Sequence, residues 1–278
     1  MPSRDKLTSL TAPTLIRHAE VPYVVWGDEE SHFVNDLFYV LSSQLVFVTV
    51  TLPPGGMFRS SDKFRAYFDT HECLYVLAGE YTCQDPETGE VKTARQGEML
   101  FMPQKRWHYG YNFGTTELRL LECIAPPTNQ AALAHVPRPS RVVPFNPASF
   151  ADLPRQPGNV ETNLTVCSTA TAVSAVIGDR NPVLFQVLAS TERVCFAKAV
   201  LRPNSHSELV NLPFDVCYQG LEGLVHIQSP TNGEYFAVGP SDVAFIPAGS
   251  AHRLFNHSAG TIPILLGGAG SFAKISAQ

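Results

Sequence analysis

Charged residues and long apolar runs are both scarce in this sequence of 278 residues. Only 16% of the residues are charged, and the formal net charge is −5. A mildly acidic chain lacks the basic surface that nucleic acid or an anionic membrane requires, so we expect neither as a partner. The longest apolar runs, such as residues 45–52, are far shorter than the roughly 20 residues that cross a bilayer as a helix. The polar first ten residues lack the apolar stretch of a secretory signal, which predicts a cytoplasmic protein.

Closely spaced cysteine pairs are also missing. The six cysteines are spread along the chain, and no two are separated by only two residues. This spacing favours reduced cysteines in a core over a disulfide framework or a zinc–thiolate site. They are Cys73, Cys83, Cys123, Cys167, Cys195 and Cys217.

Helical periodicity is weak, and short strand-like segments dominate. Residues 45–52, 118–124, 195–201 and 262–266 are rich in β-branched, aromatic and aliphatic side chains. Clusters of Gly, Pro, Asn and Asp separate such segments, as in residues 85–89, which have the composition of a hairpin turn. Many short strands separated by turns predict an all-β sandwich or barrel.

A proline-rich stretch divides the chain into comparable halves. Eight prolines lie between residues 126 and 157. Proline has no amide hydrogen to donate to a sheet and stiffens extended chain, so this stretch is predicted to be a semi-rigid connector.

The two halves repeat one another. Gly79 precedes His108 by 29 residues, and Gly223 precedes His252 by the same 29 residues. The pairs that share an offset of 144 are Cys73 with Cys217, Pro103 with Pro247, His108 with His252, and Asn112 with Asn256. So many matches at one offset indicate an internal duplication.

The repeated motifs resemble those of the cupin superfamily, and in particular its two-domain members, the bicupins. Glu72 followed by Gly79 matches the first motif of the family. The second motif is matched by Gly97, Pro103, His108 and Asn112 in the first half, and by Pro247, Gly249, His252 and Asn256 in the second. The resemblance implies two tandem jelly-roll barrels joined by a Pro-rich linker. The implied domains are an N-terminal barrel with an arm over residues 1–127, a linker over 128–160 and a C-terminal barrel over 161–278.

The resemblance also implies a divalent metal, Fe, Mn, Ni or Zn, held by Glu72 and His108 in the first barrel. Two ligands are too few for such a metal. Ala66 and Phe68 occupy the places where the family usually has a His-x-His pair. His71 is the nearest candidate for a third ligand, but neighbouring strand residues face opposite sides, so a β-bulge would be needed to turn it inward. The metal-free alternative is a direct hydrogen bond between Glu72 and His108, which could still act as an acid–base pair.

The second barrel is expected to be degenerate as a metal site. Val216 stands where the first barrel has Glu72. Without that carboxylate, His252 is interpreted as a structural residue.

Cationic and aromatic residues near the first-barrel loops suggest an anionic or planar substrate. Arg59 or Arg65 would bind a carboxylate, and Tyr67, Trp107 and Tyr109 would stack on a ring. The alternatives are that the arginines are solvated loop charges and that the aromatic residues are ordinary core.

Three functions remain open from the sequence. The resemblance favours a metal-dependent dioxygenase acting on a small metabolite. A second possibility is an isomerase, lyase or hydrolase, with or without a metal, in which Glu72 or His108 is the base. A third is a non-catalytic protein that binds a small ligand. By analogy with the family, the chain could form a homo-oligomer.

Overall fold

The computed structural model describes residues 10–129, 132–143, 164–231 and 233–276, and most of their regular structure is β-strand. The strands of the first half are β1 (Thr14–Ile16), β2 (Tyr23–Trp26), β3 (Val34–Leu41), β4 (Val46–Leu52), β5 (Met57–Phe58), β6 (His71–Ala78), β7 (Glu80–Gln84), β8 (Val91–Arg95), β9 (Met99–Met102), β10 (Tyr109–Tyr111) and β11 (Leu118–Ala125). The strands of the second half are β12 (Thr165–Cys167), β13 (Val173–Ile177), β14 (Val183–Ser190), β15 (Cys195–Leu201), β16 (Ser205–His206), β17 (Val216–Gly220), β18 (Val225–Ser229), β19 (Glu234–Val238), β20 (Val243–Ile246), β21 (Arg253–Asn256) and β22 (Ile262–Gly268). The helices among these residues are a 3₁₀ turn (His18–Glu20) and α1 (Ala273–Ser276).

Each half of the chain forms a barrel from a seven-stranded sheet and a four-stranded sheet. In the first barrel the strand orders are β12-β9-β6-β11-β4-β3-β2 and β5-β10-β7-β8. In the second they are β1-β20-β17-β22-β15-β14-β13 and β16-β21-β18-β19. The predicted all-β architecture of two tandem barrels is confirmed. No helix among the described residues has the length and apolar character needed to cross a membrane.

The two barrels exchange their edge strands. Strand β1 pairs antiparallel with β20, so it belongs to the sheet of the second barrel. Strand β12, which follows the connector, pairs with β9 in the first barrel. The predicted domain over 1–127 therefore includes β1, although β1 pairs in the second barrel. The predicted domain over 161–278 includes β12, although β12 pairs in the first barrel.

Strand alternation divides the apolar side chains between the barrel interiors and the contact between the barrels. On β6, Leu74 and Val76 belong to the core inside the first barrel. Their neighbours Cys73 and Tyr75 face the other way and join a core shared with the second barrel. There the ring of Tyr75 stacks on that of Phe196 with centroids 5.7 Å apart. The barrels are therefore packed against each other through the outer faces of their large sheets.

All six cysteines are free thiols, as predicted, and five of them are buried. Cys73, Cys123 and Cys217 belong to the core shared between the barrels, and Cys195 belongs to the core inside the second barrel. They act as small apolar side chains in these positions.

The duplicated asparagines perform the same structural task in both barrels. The amide nitrogen of Asn112 donates to the carbonyl oxygens of Leu52, Pro53 and Thr116. The amide nitrogen of Asn256 donates to the carbonyl oxygens of Leu201, Arg202 and Gly260. Each asparagine thus joins two loops at the end of its barrel. This shared structural role explains why both halves of the sequence have asparagine at this position.

The described part of the connector, residues 132–143, lies on the first barrel. Leu133 is buried against Tyr67 and Trp107, with Val136 beside them. The guanidinium of Arg65 donates to the carbonyl oxygens of Leu133 and Val136. Of the predicted linker over 128–160, residues 130–131 and 144–160 lie outside the described residues.

Candidate active site in the first barrel

A cavity of about 370 Å³ lies inside the first barrel. Its walls are largely apolar because they are formed by the inward-facing residues of β3, β4 and β11. The side chains of Val46, Val48 and Val50 along β4 illustrate this alternation. A pocket of this size and character suits a small organic molecule.

Glu72 and His108 meet at the base of this barrel. Oε2 of Glu72 lies 3.7 Å from Nε2 of His108, and their side chains are 1% and 3% exposed. Strand β6 places Glu72 on the same face as Leu74, while the turn before β10 directs His108 inward to line the cavity. The structure therefore brings together the two residues on which the sequence argument depended.

Burial makes the uncharged forms of both groups favourable. Burial lowers the pKa of His108 to about 4, although the nearby backbone of Arg106 acts in the opposite direction. Burial also raises the pKa of Glu72 well above its usual range. Nδ1 of His108 and Oε2 of Glu72 have no hydrogen-bond partner among the described residues. The site thus contains a neutral imidazole beside a carboxyl group that tends to keep its proton.

A second glutamate, which the sequence analysis did not select, belongs to the same cluster. Strand β11 pairs with β6 so that Glu122 is opposite Leu74 and Ile124 is opposite Glu72. Glu122 is thus a diagonal neighbour of Glu72 on the same face of the sheet. Burial raises the pKa of Glu122, while the neighbouring carboxyl group of Glu72 lowers it. Unlike Glu72, Glu122 lines the cavity.

Asp36 on β3 adds a second carboxyl group to the cavity lining. It is 7% exposed, and its Oδ1 has no hydrogen-bond partner among the described residues. Burial, followed by the nearby charge of Glu122, raises the pKa of Asp36 to about 8. The cavity lining therefore includes two carboxyl groups, of Asp36 and Glu122, and the imidazole of His108.

The sequence contained a signal for both additional acids. Glu122 shares its strand face with Leu118, Leu120 and Ile124, so a lone acid stands among inward-facing apolar residues. Asp36 likewise shares its face of β3 with the apolar residues Val34 and Phe38. The same alternation rule that was applied to Glu72 would have found these residues if it had been applied to β3 and β11.

The structure does not bring His71, the predicted third ligand, into the site. Residues His71 and Glu72 pair regularly with Ala125 and Ile124, so no bulge is present at the start of β6. The ring of His71 faces the opposite side of the sheet, 5.3 Å from the ring of Phe101, and its Nδ1 lies 3.2 Å from the hydroxyl of Thr191. Strand alternation therefore keeps His71 in the contact with the second half of the chain.

The described residues do not fit a three-ligand metal centre. Among them, no group of three His, Cys, Asp or Glu residues could hold a metal ion. Ala66 and Phe68 line the cavity but offer no donor atom, and the ring of Phe68 lies 5.7 Å from that of His108. We therefore assign no chemistry in this site to a metal.

Of the predicted substrate contacts, Arg65 lines the cavity. Arg59 lies outside the lining, and its Nε donates to the carbonyl oxygen of Glu30. Tyr67 and Trp107 are buried beneath the connector instead. Tyr109 is also buried outside the lining. The aromatic residues that do line the cavity are Trp26, Phe38, Phe58, Phe64 and Phe68.

The equivalent place in the second barrel has no acid. Val216 and Leu266 occupy the positions of Glu72 and Glu122 at the offset of 144, and both belong to its apolar core. His252 is fully buried, and its Nε2 lies 2.8 Å from the hydroxyl of Tyr218. Its Nδ1 approaches the carbonyl oxygen of Ser250 at 3.1 Å, so both ring nitrogens have partners.

Comparisons with known proteins agree with this architecture. The family model described as "Cupin domain" matches residues 48–124. A single-residue variant of oxalate decarboxylase from Bacillus subtilis superposes with a TM-score of 0.63 over 94% of this chain and 78% of its own, at 12% identity. The structure of this enzyme at pH 4.6 gives a TM-score of 0.61 over 94% and 77% of the two chains, also at 12% identity.

A further structure of the same enzyme concerns its Mn(II) centres, and superposes with a TM-score of 0.62 over 94% and 78% of the two chains, at 13% identity. No curated protein sequence matches the chain at a comparable level of significance. At identities this low, structural likeness shows a shared fold and does not indicate a shared activity. Residues 48–124 therefore match a cupin domain, and the chain as a whole has the two-barrel fold of these structural neighbours.

Proposed function

We propose that this two-barrel protein is an enzyme that transfers protons on a small molecule bound in the first barrel. The observation that carries the proposal is that His108 and Glu122 face one largely apolar cavity, with Glu72 beside both. A neutral imidazole accepts a proton and a protonated carboxyl group donates one, so the pair can act as base and acid on the same ligand. Isomerase, lyase and hydrolase reactions can use such a pair.

Two cationic side chains favour an anionic substrate. Lys63 and Arg65 line the cavity along with the acids. Neither takes part in an ion pair among the described residues. Nε of Arg65 is buried without a hydrogen-bond partner, although Nη1 of its guanidinium donates to two carbonyl oxygens of the connector. A carboxylate of the ligand would supply the missing acceptor.

The apolar walls favour a substrate with a hydrocarbon or aromatic body. The valines of β4 and the rings of Phe38 and Phe64 offer nothing that a second charged group could bind. Oxalate, which gives the structural neighbours their name, has no apolar part to fill such walls. An aromatic or branched aliphatic monocarboxylate matches the lining better.

The dioxygenase function and its divalent metal, which the sequence resemblance favoured, stay predictions. They need a further ligand that the described residues do not offer at Glu72 and His108. Oxygen consumption with the same compounds, and metal analysis of protein purified without a metal-affinity tag, test them directly. Homo-oligomer formation is likewise a prediction, which light scattering during gel filtration tests.

The proton-transfer proposal is tested by hydrogen exchange. A panel of aromatic and branched aliphatic carboxylates and 2-oxo acids is first screened for an increase in melting temperature. Compounds that bind are then incubated with the protein in D₂O, and loss of carbon-bound protons is followed by ¹H NMR. We expect exchange with the wild type and a loss of about 100-fold or more in His108→Gln, in keeping with the usual contribution of a general base.

The duplication provides a matched control. His252→Gln alters the equivalent histidine of the second barrel and is expected to leave exchange unchanged. Binding without exchange in any compound would identify a non-catalytic binding protein instead. Equal exchange rates in wild type and His108→Gln would refute the assigned role of His108.

A further inference from the structure

Asp36 is a buried acid that the proposed reaction does not use. It lies on β3 and lines the first-barrel cavity, and it is only 7% exposed. Its neighbours on the same face of the strand are the apolar residues Val34 and Phe38. Oδ1 of Asp36 has no hydrogen-bond partner among the described residues, and the side chain takes part in none of their ion pairs. Because a buried polar group without a partner is costly, a polar group inside the cavity is needed to satisfy Asp36.

The fold itself does not require an acid at this position. Strand β14 of the second barrel is the counterpart of β3, because each has eight residues and one irregularity in register at the same place along the strand. The third residue of β3 is Asp36, and the third residue of β14 is Phe185. Phe185 is buried in an apolar core, with its ring centroid 5.4 Å from that of Phe272. An apolar side chain therefore fills this position in the second barrel, and we relate the acid of the first barrel to its cavity.

Two cationic side chains border the same cavity near β3. Trp26 lies on β2, the strand that pairs with β3, and its ring centroid lies 5.3 Å from that of Phe64. The chain neighbours of Phe64 are Lys63 and Arg65, which also line the cavity. Neither forms an ion pair with Asp36 or with any other acid among the described residues. An acid and two cations thus face one cavity without pairing with each other.

A ligand that carries both an ammonium group and a carboxylate would satisfy both kinds of side chain. The carboxylate would bind Lys63 or Arg65, as in the proposed function. An ammonium group has three donors and no acceptor, so it suits a carboxyl group whose neighbours on its strand are apolar. Burial, followed by the nearby charge of Glu122, raises the pKa of Asp36 to about 8. A cation beside Asp36 would therefore be attracted by two acids and would offset the cost of a buried negative charge.

We propose that Asp36 binds the ammonium group of the ligand, and that the first barrel therefore takes an amino-carboxylate with an apolar body. Asp36 is a specificity-determining residue in this assignment, because it distinguishes carboxylates by their second functional group. The inference rests on the proposed function, which places the carboxylate of the ligand at Lys63 or Arg65, and it adds the second polar group of the substrate.

Isothermal titration calorimetry with matched compounds tests this assignment. Phenylalanine, phenyllactate and phenylpropanoate share one body and carry an amine, a hydroxyl or a hydrogen next to the carboxylate. A second series places the same groups at the far end of a ring, in para-(aminomethyl)benzoate, para-(hydroxymethyl)benzoate and para-methylbenzoate. We expect the amine-bearing member of at least one series to bind the wild type about 10-fold or more tightly than its two partners. This comparison requires no variant.

Asp36→Asn removes the charge of Asp36 and keeps its size. It is expected to weaken binding of the amine-bearing compound by about 10-fold or more, and to change binding of its hydrogen-bearing partner by less than about 2-fold. Asp62→Asn is the control, because it makes the same substitution at a side chain that is 85% exposed and outside the cavity lining. Lys63→Gln is expected to weaken all three members of a series alike, since each has the carboxylate.

Several results would overturn the inference. Equal binding of the amine, hydroxyl and hydrogen compounds by the wild type is one, and failure of every amine-bearing compound to bind is another. An equal loss of all three compounds in Asp36→Asn would show that Asp36 only shapes the cavity. Tightest binding of a hydroxyl compound would assign a neutral donor to Asp36 in place of the ammonium group.

The proton-exchange experiment separates this inference from the proposed function. An amine-bearing compound whose binding depends on Asp36, but whose carbon-bound protons do not exchange, would keep the inference and remove the proposed reaction. Exchange on carboxylates without an amine, together with no binding of the amine-bearing compounds, would keep the reaction and remove the inference.

Discussion

In the second barrel, Oη of Tyr218 lies 2.8 Å from Nε2 of His252, whereas the equivalent nitrogen of His108 faces Glu72 at 3.7 Å. Tyr218 occupies the position of Leu74 at the offset of 144. The phenol therefore satisfies the histidine that has lost its acidic neighbour. Both ring nitrogens of His252 therefore have partners, whereas Nδ1 of His108 has none among the described residues and the ring of His108 lines the cavity.

Removing the Tyr218 hydroxyl is expected to destabilise the second barrel. Tyr218→Phe leaves Nε2 of the fully buried His252 without a partner, which costs about 1–3 kcal/mol. Urea unfolding measures the change in the free energy of unfolding. Tyr235→Phe is the control, because Tyr235 is 52% exposed although its hydroxyl also bonds to a histidine, His257. Equal effects of the two variants would show that burial of this hydrogen bond does not matter.

Asp36 is expected to make the protein less stable as the pH rises. Its pKa is raised from 3.8 to about 8 by burial and by Glu122, so the folded state keeps a proton that the unfolded chain releases. Stability from this group is therefore lost progressively between about pH 4 and pH 8. We expect Asp36→Asn to match the wild type near pH 4 and to be more stable by roughly 2–5 kcal/mol at pH 9.

Chemical unfolding at several pH values measures this difference. Asp62→Asn is the matched control because the Asp62 side chain is 85% exposed, and it is expected to change stability little at any pH. A difference between Asp36→Asn and wild type that stays constant from pH 4 to pH 9 would contradict a raised pKa at Asp36.

The sequence predicted those features that depend on local pattern and repetition. The offset of 144 matched Asn112 with Asn256 and Gly79 with Gly223, and the structure gives each pair one task. The asparagines bind three carbonyl oxygens each, and the turn glycines have φ values of 80° and 70°, which side chains rarely adopt.

The sequence pattern could not predict which strands that are far apart in the chain pair with each other. Strands β1 and β12 look alike as short apolar segments, and nothing in either reveals that it joins the sheet of the other half. The placement of Glu122 beside Glu72 is an intermediate case. Glu122 was visible as an acid on the inward face of β11, but its contact with Glu72 depends on the register of two strands that are far apart in the chain.

The connector is expected to protect Trp107 from solvent. Trp107 is 1% exposed, and Leu133 of the connector is buried against it. Leu133→Ser removes this cover and should lower stability by about 1–3 kcal/mol, the lower part of the range for truncating a buried leucine. Acrylamide quenching of tryptophan fluorescence should increase, since Trp107 is one of only two tryptophans. Val142→Ser, at a 36% exposed connector position, is expected to change neither quantity; quenching equal to that of wild type in Leu133→Ser would refute the protective role.

The contact between the barrels is expected to depend on the absence of a side chain at Gly267. A Cβ atom there would lie 2.7 Å from Cε2 of Phe47 and 2.8 Å from Sγ of Cys123, both of which belong to the first barrel. Because these neighbours are buried in the shared core, Gly267→Ala should lower stability by about 1–3 kcal/mol through overpacking. Gly260→Ala is the matched control, since a Cβ at Gly260 meets nothing within 4 Å, and its effect should stay within about 0.5 kcal/mol. Calorimetry compares the two variants with the wild type. Overpacking between the barrels should also weaken their coupling, so Gly267→Ala should broaden or split the melting transition; equal melting curves for the two variants would show that this close approach does not hold the barrels together.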